Sequence, residues 1–342
     1  MASGRIYVDV RDAGEHKRYG VNHGIARYAR EIIPRLTIPW LPLDGPFRRA
    51  TPLDAINPRR IVLSASDVLY NPGFNAGLGR CAQLLTLHDL THLRAPTSRL
   101  PWVTRAFYEG VVKPAARHTG HILTNSETSA DDIREWFGDD RVRVHNAGIG
   151  CSQEFAVDGP RAEFGRPYFL YVGNFKAHKN TPPLYQAMTH FPDHLLVTVV
   201  APADAPTART LAHQYCIADR LVVKTAVSDA ELAALYRGSE ALVFPSVWEG
   251  VGLPVIEALR TGTKVVYSRR ATAVAEVCEG GQFAVDDVAD ANQFVDRMSA
   301  ALGTSFSAPP GLARFDWDKV ASRIEAVIRD VRKKNCGTPV RS

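Results

Sequence analysis

Two glutamates, Glu249 and Glu257, stand eight positions apart in "PSVWEGVGLPVIEALRTGTKVVYS" (residues 245–268), with Gly250, Gly252 and Pro254 between them. The preceding "ALVFPS" reads as a strand ending at Ser246. Glu249 is therefore expected at a strand's carboxyl edge, projecting into an interdomain crevice, where open α/β sheets bind ligands. In "GVGLP" the glycines flanking Val251 and preceding Leu253 let backbone N–H groups come close to a ligand. Pro254 suits the first position of a helix, whose positive end then offers an anion site for a pyrophosphate. Glu257 is expected in that helix's first turn, where its carboxylate can accept hydrogen bonds from a diol such as ribose. One carboxylate near a sugar, amides near a phosphate and a second carboxylate near a ribose describe a nucleotide-sugar site. A loop glutamate plus a helix-capping glutamate is the plainer alternative.

A second cluster, "HDLTH", places His88 and His92 four positions apart. The histidine pair of the H-E-x-x-H zinc pattern needs a helix to bring both rings to one face. Here the pair follows the strand-like "LLTL", so no metal site is expected. "YGVNHGIARY" sets Gly20 and Gly24 before an amphipathic helix, where amides could approach a phosphate or an acceptor; a plain helix-capping loop is the alternative.

These residues need a frame. Strand-like runs alternate with helical patterns through both halves of the chain. "RIYVDVR" precedes "GIARYAREIIPRL", and "AQLLTLHDL" reads as a buried strand ending in a loop. "RAFYEGVVKPAARH" reads as helix, "GHILTNSE" as strand, "TSADDIREWFG" as a capped helix and "RVRVHNAGIG" as strand. After a Pro- and Gly-containing stretch at 151–167, read as a linker, a second series begins: "YFLYVGN", "HLLVTVVAP", "RLVVKTAV", "SDAELAALYRGSE", "ALVFPS", "TKVVYS" and "GGQFAVDD". Such alternation predicts parallel sheets covered by helices on both faces. At 342 residues, two doubly wound domains in tandem are the simplest account.

Composition is that of an ordinary globular enzyme, with 45% hydrophobic and 23% charged residues. No apolar run approaches the roughly 20 residues that span a bilayer. "MASGRIYVDV" enters a strand pattern without an apolar leader, and five cysteines lie far apart with no C-x-x-C pair. Both point to a reducing cytoplasm. Residues 1–150 hold 20 Lys and Arg against 15 Asp and Glu, while the remainder holds 21 of each, so the net +5 lies in the first half. That half is expected either to be an ordinary solvated surface or to meet an anionic lipid surface. Candidate patches are "FRRA" (47–50) and "RLPWVTRAF" (99–107). No basic run or basic–aromatic motif argues for nucleic acid.

The stretch around the paired glutamates resembles the E-x7-E signature of glycosyltransferase family 4. Val251 stands where the family has phenylalanine and Lys264 where it has proline. "GVNHGIARYARE", "LLTLHDLTHLRAP", "HILTNSETSADDI", "VRVHNAGIG", "YFLYVGNFKAHKN" and "VSDAELAALYRGSEALVFPS" resemble further family segments in family order, along nearly the whole chain. This resemblance implies a GT-B architecture: two facing Rossmann-like domains, residues 1–155 on the acceptor side and 165–315 holding the nucleotide sugar. It also implies that the last helix, 316–335, crosses back to the first domain. Lys179 matches the family lysine on the donor pyrophosphate, where its charge offsets that of the departing nucleoside diphosphate. Asn174 stands where many relatives carry arginine. His88 matches the histidine that approaches the reacting sugar. Ser126, Glu127 and Glu276 match family positions of less definite role, and a helix cap serves Ser126 equally well.

The implied reaction is a retaining, metal-independent glycosyl transfer, with His88, Lys179 and Glu249 as catalytic residues. Gly24, Asn174, Lys179, Glu249, Gly250, Val251, Gly252, Leu253 and Glu257 would bind the donor, a nucleotide sugar rather than a resident cofactor. GDP-mannose is the first expectation for the donor, ahead of UDP- or dTDP-sugars. The expected acceptor is a surface glycan on a lipid carrier, with peripheral contact to the inner membrane face. A nucleotide-sugar epimerase on the same fold and a catalytically silent nucleotide-sugar-binding protein remain the alternatives.

Overall fold

The structure, a computed structural model, describes residues 4–13, 24–47, 52–94 and 101–337. The chain forms two compact units, Met1–Gly150 with Asp316–Ser342, and Cys151–Phe315.

The first unit is built on strands β1 (Ile6–Asp9), β2 (Leu41–Leu43), β3 (Val68–Asn71), β4 (Ala82–Leu85), β5 (His121–Thr124) and β6 (Arg143–Asn146). All pair in parallel; the first four run in the order β2-β1-β3-β4, and β5 pairs with β6. A bridge from Thr86 to Leu123 joins the two sets. Strands β3, β4 and β5 are buried along their whole length, as a sheet covered on both faces requires. Two of these strands escaped the reading of the sequence. β2 has three residues with Pro42 at its centre, and proline is confined to sheet edges because it donates no ladder bond. β3, VLYN, shows no alternation of apolar and polar residues. The strand expected to end in a loop within residues 82–90 ends at Leu85, and His88 stands on that loop.

The C-terminal helix Trp317–Gly337 belongs to this unit. Glu325, almost fully buried, accepts hydrogen bonds from the Thr37 N–H, from Thr37 Oγ1 at 3.0 Å and from the Ile38 N–H at 3.1 Å. Further along, Lys334 Nζ donates to His121 Nε2 at 2.6 Å, and His121 Nδ1 meets His145 Nε2 at 2.9 Å. Lys334 can only donate, so the proton of a neutral His121 sits on Nδ1. Burial, followed by the charge of Lys334, pulls the His121 pKa down to about 4.

In the second unit, β7 (Tyr168–Val172), β8 (Leu195–Val199), β9 (Leu221–Lys224), β10 (Ala241–Phe244), β11 (Val265–Ser268) and β12 (Phe283–Val285) form one parallel sheet. Its order, β12-β11-β10-β7-β8-β9, is the doubly wound dinucleotide-binding order, with the topological switch between β7 and β10. Helices follow the caps that the sequence announces. Ser228 and Glu231 close a capping box on Asp229–Gly238, an arrangement that satisfies two otherwise unpaired backbone donors.

The 151–167 stretch is packed into the second unit rather than left as a linker. Phe155 is fully buried, and Arg237 donates to the carbonyls of Pro160 at 2.7 Å and Ala156 at 2.9 Å. Lys264, which stands where the resembled signature has proline, has a structural task. Its Nζ donates to the carbonyls of Ala301 at 2.6 Å and Thr304 at 3.2 Å, placing a cation at the C-terminal end of the helix Ala291–Leu302.

Candidate donor site at the switch point of the second unit

The loop after β7 and the loop after β10 leave the sheet side by side, because these two strands are neighbours at the switch point. Gly173 directly follows β7 and lies close under the Tyr171 side chain, where a Cβ would stand 2.8 Å from the hydroxyl. Tyr171 Oη in turn donates to the carbonyl of Asn174. Burial, and after it the charge of Glu249, holds the Tyr171 phenol well above its ordinary pKa. A short 3-10 turn, Ala177–Lys179, follows. It is fixed at three points: Asn174 Oδ1 accepts from the Lys176 N–H at 3.1 Å, His178 O accepts from the Val247 N–H at 2.8 Å, and Asn180 Nδ2 donates to Val288 O at 2.9 Å. The middle bond ties the β7 loop to the β10 loop.

These constraints bring together two side chains seventy positions apart in the chain. Lys179 Nζ lies 2.5 Å from Glu249 Oε1, with the two side chains 13% and 14% exposed. The same ammonium stands 5.4 Å from the centre of the Phe244 ring. Lysine and carboxylate thus form a partly desolvated ion pair at the carboxyl edge of the sheet, where charge interactions are stronger than at an open surface.

Gly252 opens the helix Leu253–Arg260 from the left-handed region, at φ 81°. A Cβ there would strike Val274 Cγ2 at 2.8 Å, so this position requires glycine for both backbone angle and space. Leu253 is the first helical residue, and Pro254 the second rather than the first. The Val255 and Ile256 N–H groups close onto Gly252 O, and Pro254 has none. The helix end therefore presents the amides of Val251, Gly252 and Leu253, while the Val251 side chain is buried.

The position of Glu257 is corrected by the same count. It is the fifth residue of the helix, not part of the first turn, and is 3% exposed. Tyr236 Oη, from the helix Asp229–Gly238, donates to Glu257 Oε2 at 3.0 Å. Tyr236 is a residue that inspection of the sequence missed.

In the first unit, His88 is held through both ring nitrogens. Nε2 is 2.9 Å from Pro72 O, and Nδ1 is 3.1 Å from Asn125 Nδ2. A carbonyl can only accept and an amide nitrogen only donate, so these contacts describe a neutral ring protonated on Nε2. Tyr28 packs edge-on against it with ring centres 4.7 Å apart. His88 precedes the helical turn Thr91–Arg94, which contains His92. Gly24 begins the helix Gly24–Ile32, where a Cβ would meet nothing within 4 Å, so no local steric need for glycine exists there. Gly20 lies outside the described residues. Ser126 caps the helix Glu127–Phe137 by accepting from the Ser129 N–H at 3.1 Å, while Glu127 Oε1 accepts from Asn146 at 2.9 Å. Glu276 offers its backbone carbonyl to Arg314 at 3.0 Å.

The fold is the GT-B fold, an α/β architecture with a parallel-sheet Rossmann-like domain in each unit. A solved structure of WaaG, "a glycosyltransferase involved in lipopolysaccharide biosynthesis", superposes with a TM-score of 0.62 at 12% identity, covering 97% of this chain and all of the other. Residues 154–305, nearly the whole second unit, match the family model "Glycosyl transferases group 1". Among curated proteins, the chain is 27% identical over 188 residues to the O-antigen chain mannosyltransferase RfbU of Salmonella typhimurium, covering 54% of this chain and 52% of that protein. It is 29% identical over 248 residues to the MMP alpha-(1->4)-mannosyltransferase of Mycolicibacterium hassiacum, covering 67% of this chain and 59% of that protein. The chain thus spans between one half and three fifths of the length of these relatives.

Proposed function

We propose that the chain is a retaining glycosyltransferase that moves a sugar from a nucleoside diphosphate to a hydroxyl of a glycan or lipid-linked acceptor in surface polysaccharide synthesis. The observation that carries this reading is the convergence of Lys179, Glu249 and the glycine-led helix end on the switch point of the second unit. Its amides and lysine suit a diphosphate, and its carboxylate suits sugar hydroxyls. GDP-mannose is the proposed donor, supported by the mannosyltransferases among the relatives. Glu257, oriented by Tyr236, is the proposed ribose ligand.

As the glycosidic bond to the diphosphate breaks, negative charge grows on the departing phosphate. Lys179 and the amides of Val251, Gly252 and Leu253 are the groups that stabilise it. The acceptor hydroxyl attacks from the face the phosphate leaves, and that phosphate takes the hydroxyl's proton. No carboxylate pair of the glycosidase kind is needed for this course.

Because Lys179 and backbone amides supply the positive charge, release of GDP from GDP-mannose should persist in EDTA. Loss of activity with chelator, restored by manganese or magnesium, would overturn the metal-free course. The same assay across UDP-, dTDP- and ADP-sugars settles the donor, and a radiolabelled sugar separates transfer from epimerisation or silent binding.

No helix among the described residues is long and apolar enough to cross a membrane. The proposed contact with a cytoplasmic membrane face is peripheral. It is supported by the helix Pro101–Phe107, which buries no residue and carries Trp102, 68% exposed, beside the exposed Arg105. Arg99 and most of "FRRA" lie outside the described residues. The protein should sediment with anionic vesicles at low salt and be released as salt rises. Equal indifference to anionic and neutral vesicles would remove the membrane from the proposal.

A further inference from the structure

The Lys179–Glu249 pair has a consequence for how a donor enters. Lys179 is the group assigned to the phosphate and Glu249 the group assigned to the sugar, yet each occupies the other at 2.5 Å. Neither side chain has another charged partner among the described residues. The backbone beneath them is tied across the two loops by the Val247–His178 bond, and Phe244 lies against the ammonium. The contact is therefore built into the loops and does not depend on two long side chains meeting by chance in solvent. A donor phosphate arriving here meets a lysine already neutralised and a carboxylate that repels it.

We infer that Glu249 competes with the sugar-bearing phosphate of the donor for Lys179, so that the ion pair is a lock that a diphosphate must open. The inference rests on the donor-site reading above. When the phosphate takes Lys179, Glu249 is released toward the sugar hydroxyls, and recognition of the diphosphate becomes coupled to recognition of the sugar. A nucleoside monophosphate lacks the second phosphate and leaves the pair closed. Glu249 then has two opposed effects. It weakens binding of the nucleoside diphosphate alone and strengthens use of the complete nucleotide sugar.

The test is calorimetric titration with GDP and GMP, and likewise with the UDP, dTDP and ADP pairs, of the wild-type chain and of three variants: Glu249→Gln, Lys179→Met and the double variant. Glutamine keeps the shape and one hydrogen bond to Lys179 but removes the charge. Glu249→Gln is expected to bind the cognate diphosphate about two- to fivefold more tightly than wild type, the size of effect that loss of a competing ion pair of this kind produces. Monophosphate affinity should not change, and the gain should vanish in the double variant. Weaker diphosphate binding by Glu249→Gln would show that Glu249 positions Lys179 instead of competing for it. Equal gains for diphosphate and monophosphate would show a general relief of repulsion, and either result overturns the lock. Lys179→Met with unchanged diphosphate affinity, or no binding of any of the four diphosphates by wild type, would instead overturn the donor-site reading itself. Circular dichroism and melting curves establish that each variant is folded.

Discussion

Replacing Lys179 by alanine is expected to lower turnover of the nucleotide sugar by about 10²–10³-fold, the usual loss when one preorganised stabiliser of a developing anion is removed. The effect should fall mainly on kcat, because the diphosphate carries more charge as it leaves than while it is bound in the donor. The fold should survive: the side chain lies at the edge of the sheet, and its partner Glu249 retains access to solvent for its charge. Lys179→Arg should recover part of the loss, since it keeps the charge with a different shape. A Lys179→Ala enzyme with more than about a tenth of wild-type turnover would leave the leaving-group role without its principal residue.

The second large effect is expected at Gly252. Alanine there must adopt φ 81° and place its Cβ 2.8 Å from Val274. The left-handed angle alone costs roughly 1–2 kcal/mol, and the contact forces the loop or the helix end to move. The amides of Val251, Gly252 and Leu253 move with it, so nucleoside diphosphate affinity should fall at least about tenfold, that is by 1.4 kcal/mol or more. Gly262, just beyond the other end of the same helix, provides the control. It has φ 77°, but a Cβ there would meet only ordinary contacts at 3.7 Å from Val157. Gly262→Ala should therefore lower the melting temperature while leaving nucleotide affinity unchanged. Equal loss of affinity in both variants would mean that helix stability, rather than the geometry of its first turn, governs binding.

The fully apolar runs such as "YFLYV" and "ALVF" were readable because a sheet covered on both faces demands them. The capped helices were readable from their punctuation, Ser228 with Glu231 and Ser126 with Gly138. β2 and β3 were not, since pairing within the sheet, not local pattern, makes strands of "LPL" and "VLYN". In the candidate site, the residue types and their order along the chain were legible, but two distances were not. The register of a helix start decided whether Glu257 lies in the first turn, and Leu253 in the first position carried it deeper, into contact with Tyr236. The Lys179–Glu249 contact depends on β7 and β10 being neighbours, a property of topology that neither motif contains by itself. Lys264 read as a lost proline, but it is a cation placed on helix carbonyls of distant residues.

The most direct measurement of the central claim is hydrogen–deuterium exchange of the whole chain with and without GDP-mannose, read by peptide. A donor held at the switch point of the second unit should slow exchange in residues 173–180 and 246–257, with smaller changes along β8 and β9. Protection centred elsewhere in the second unit, such as the groove lined by Arg209, His213 and Val222, would contradict the account, as would protection confined to the first unit.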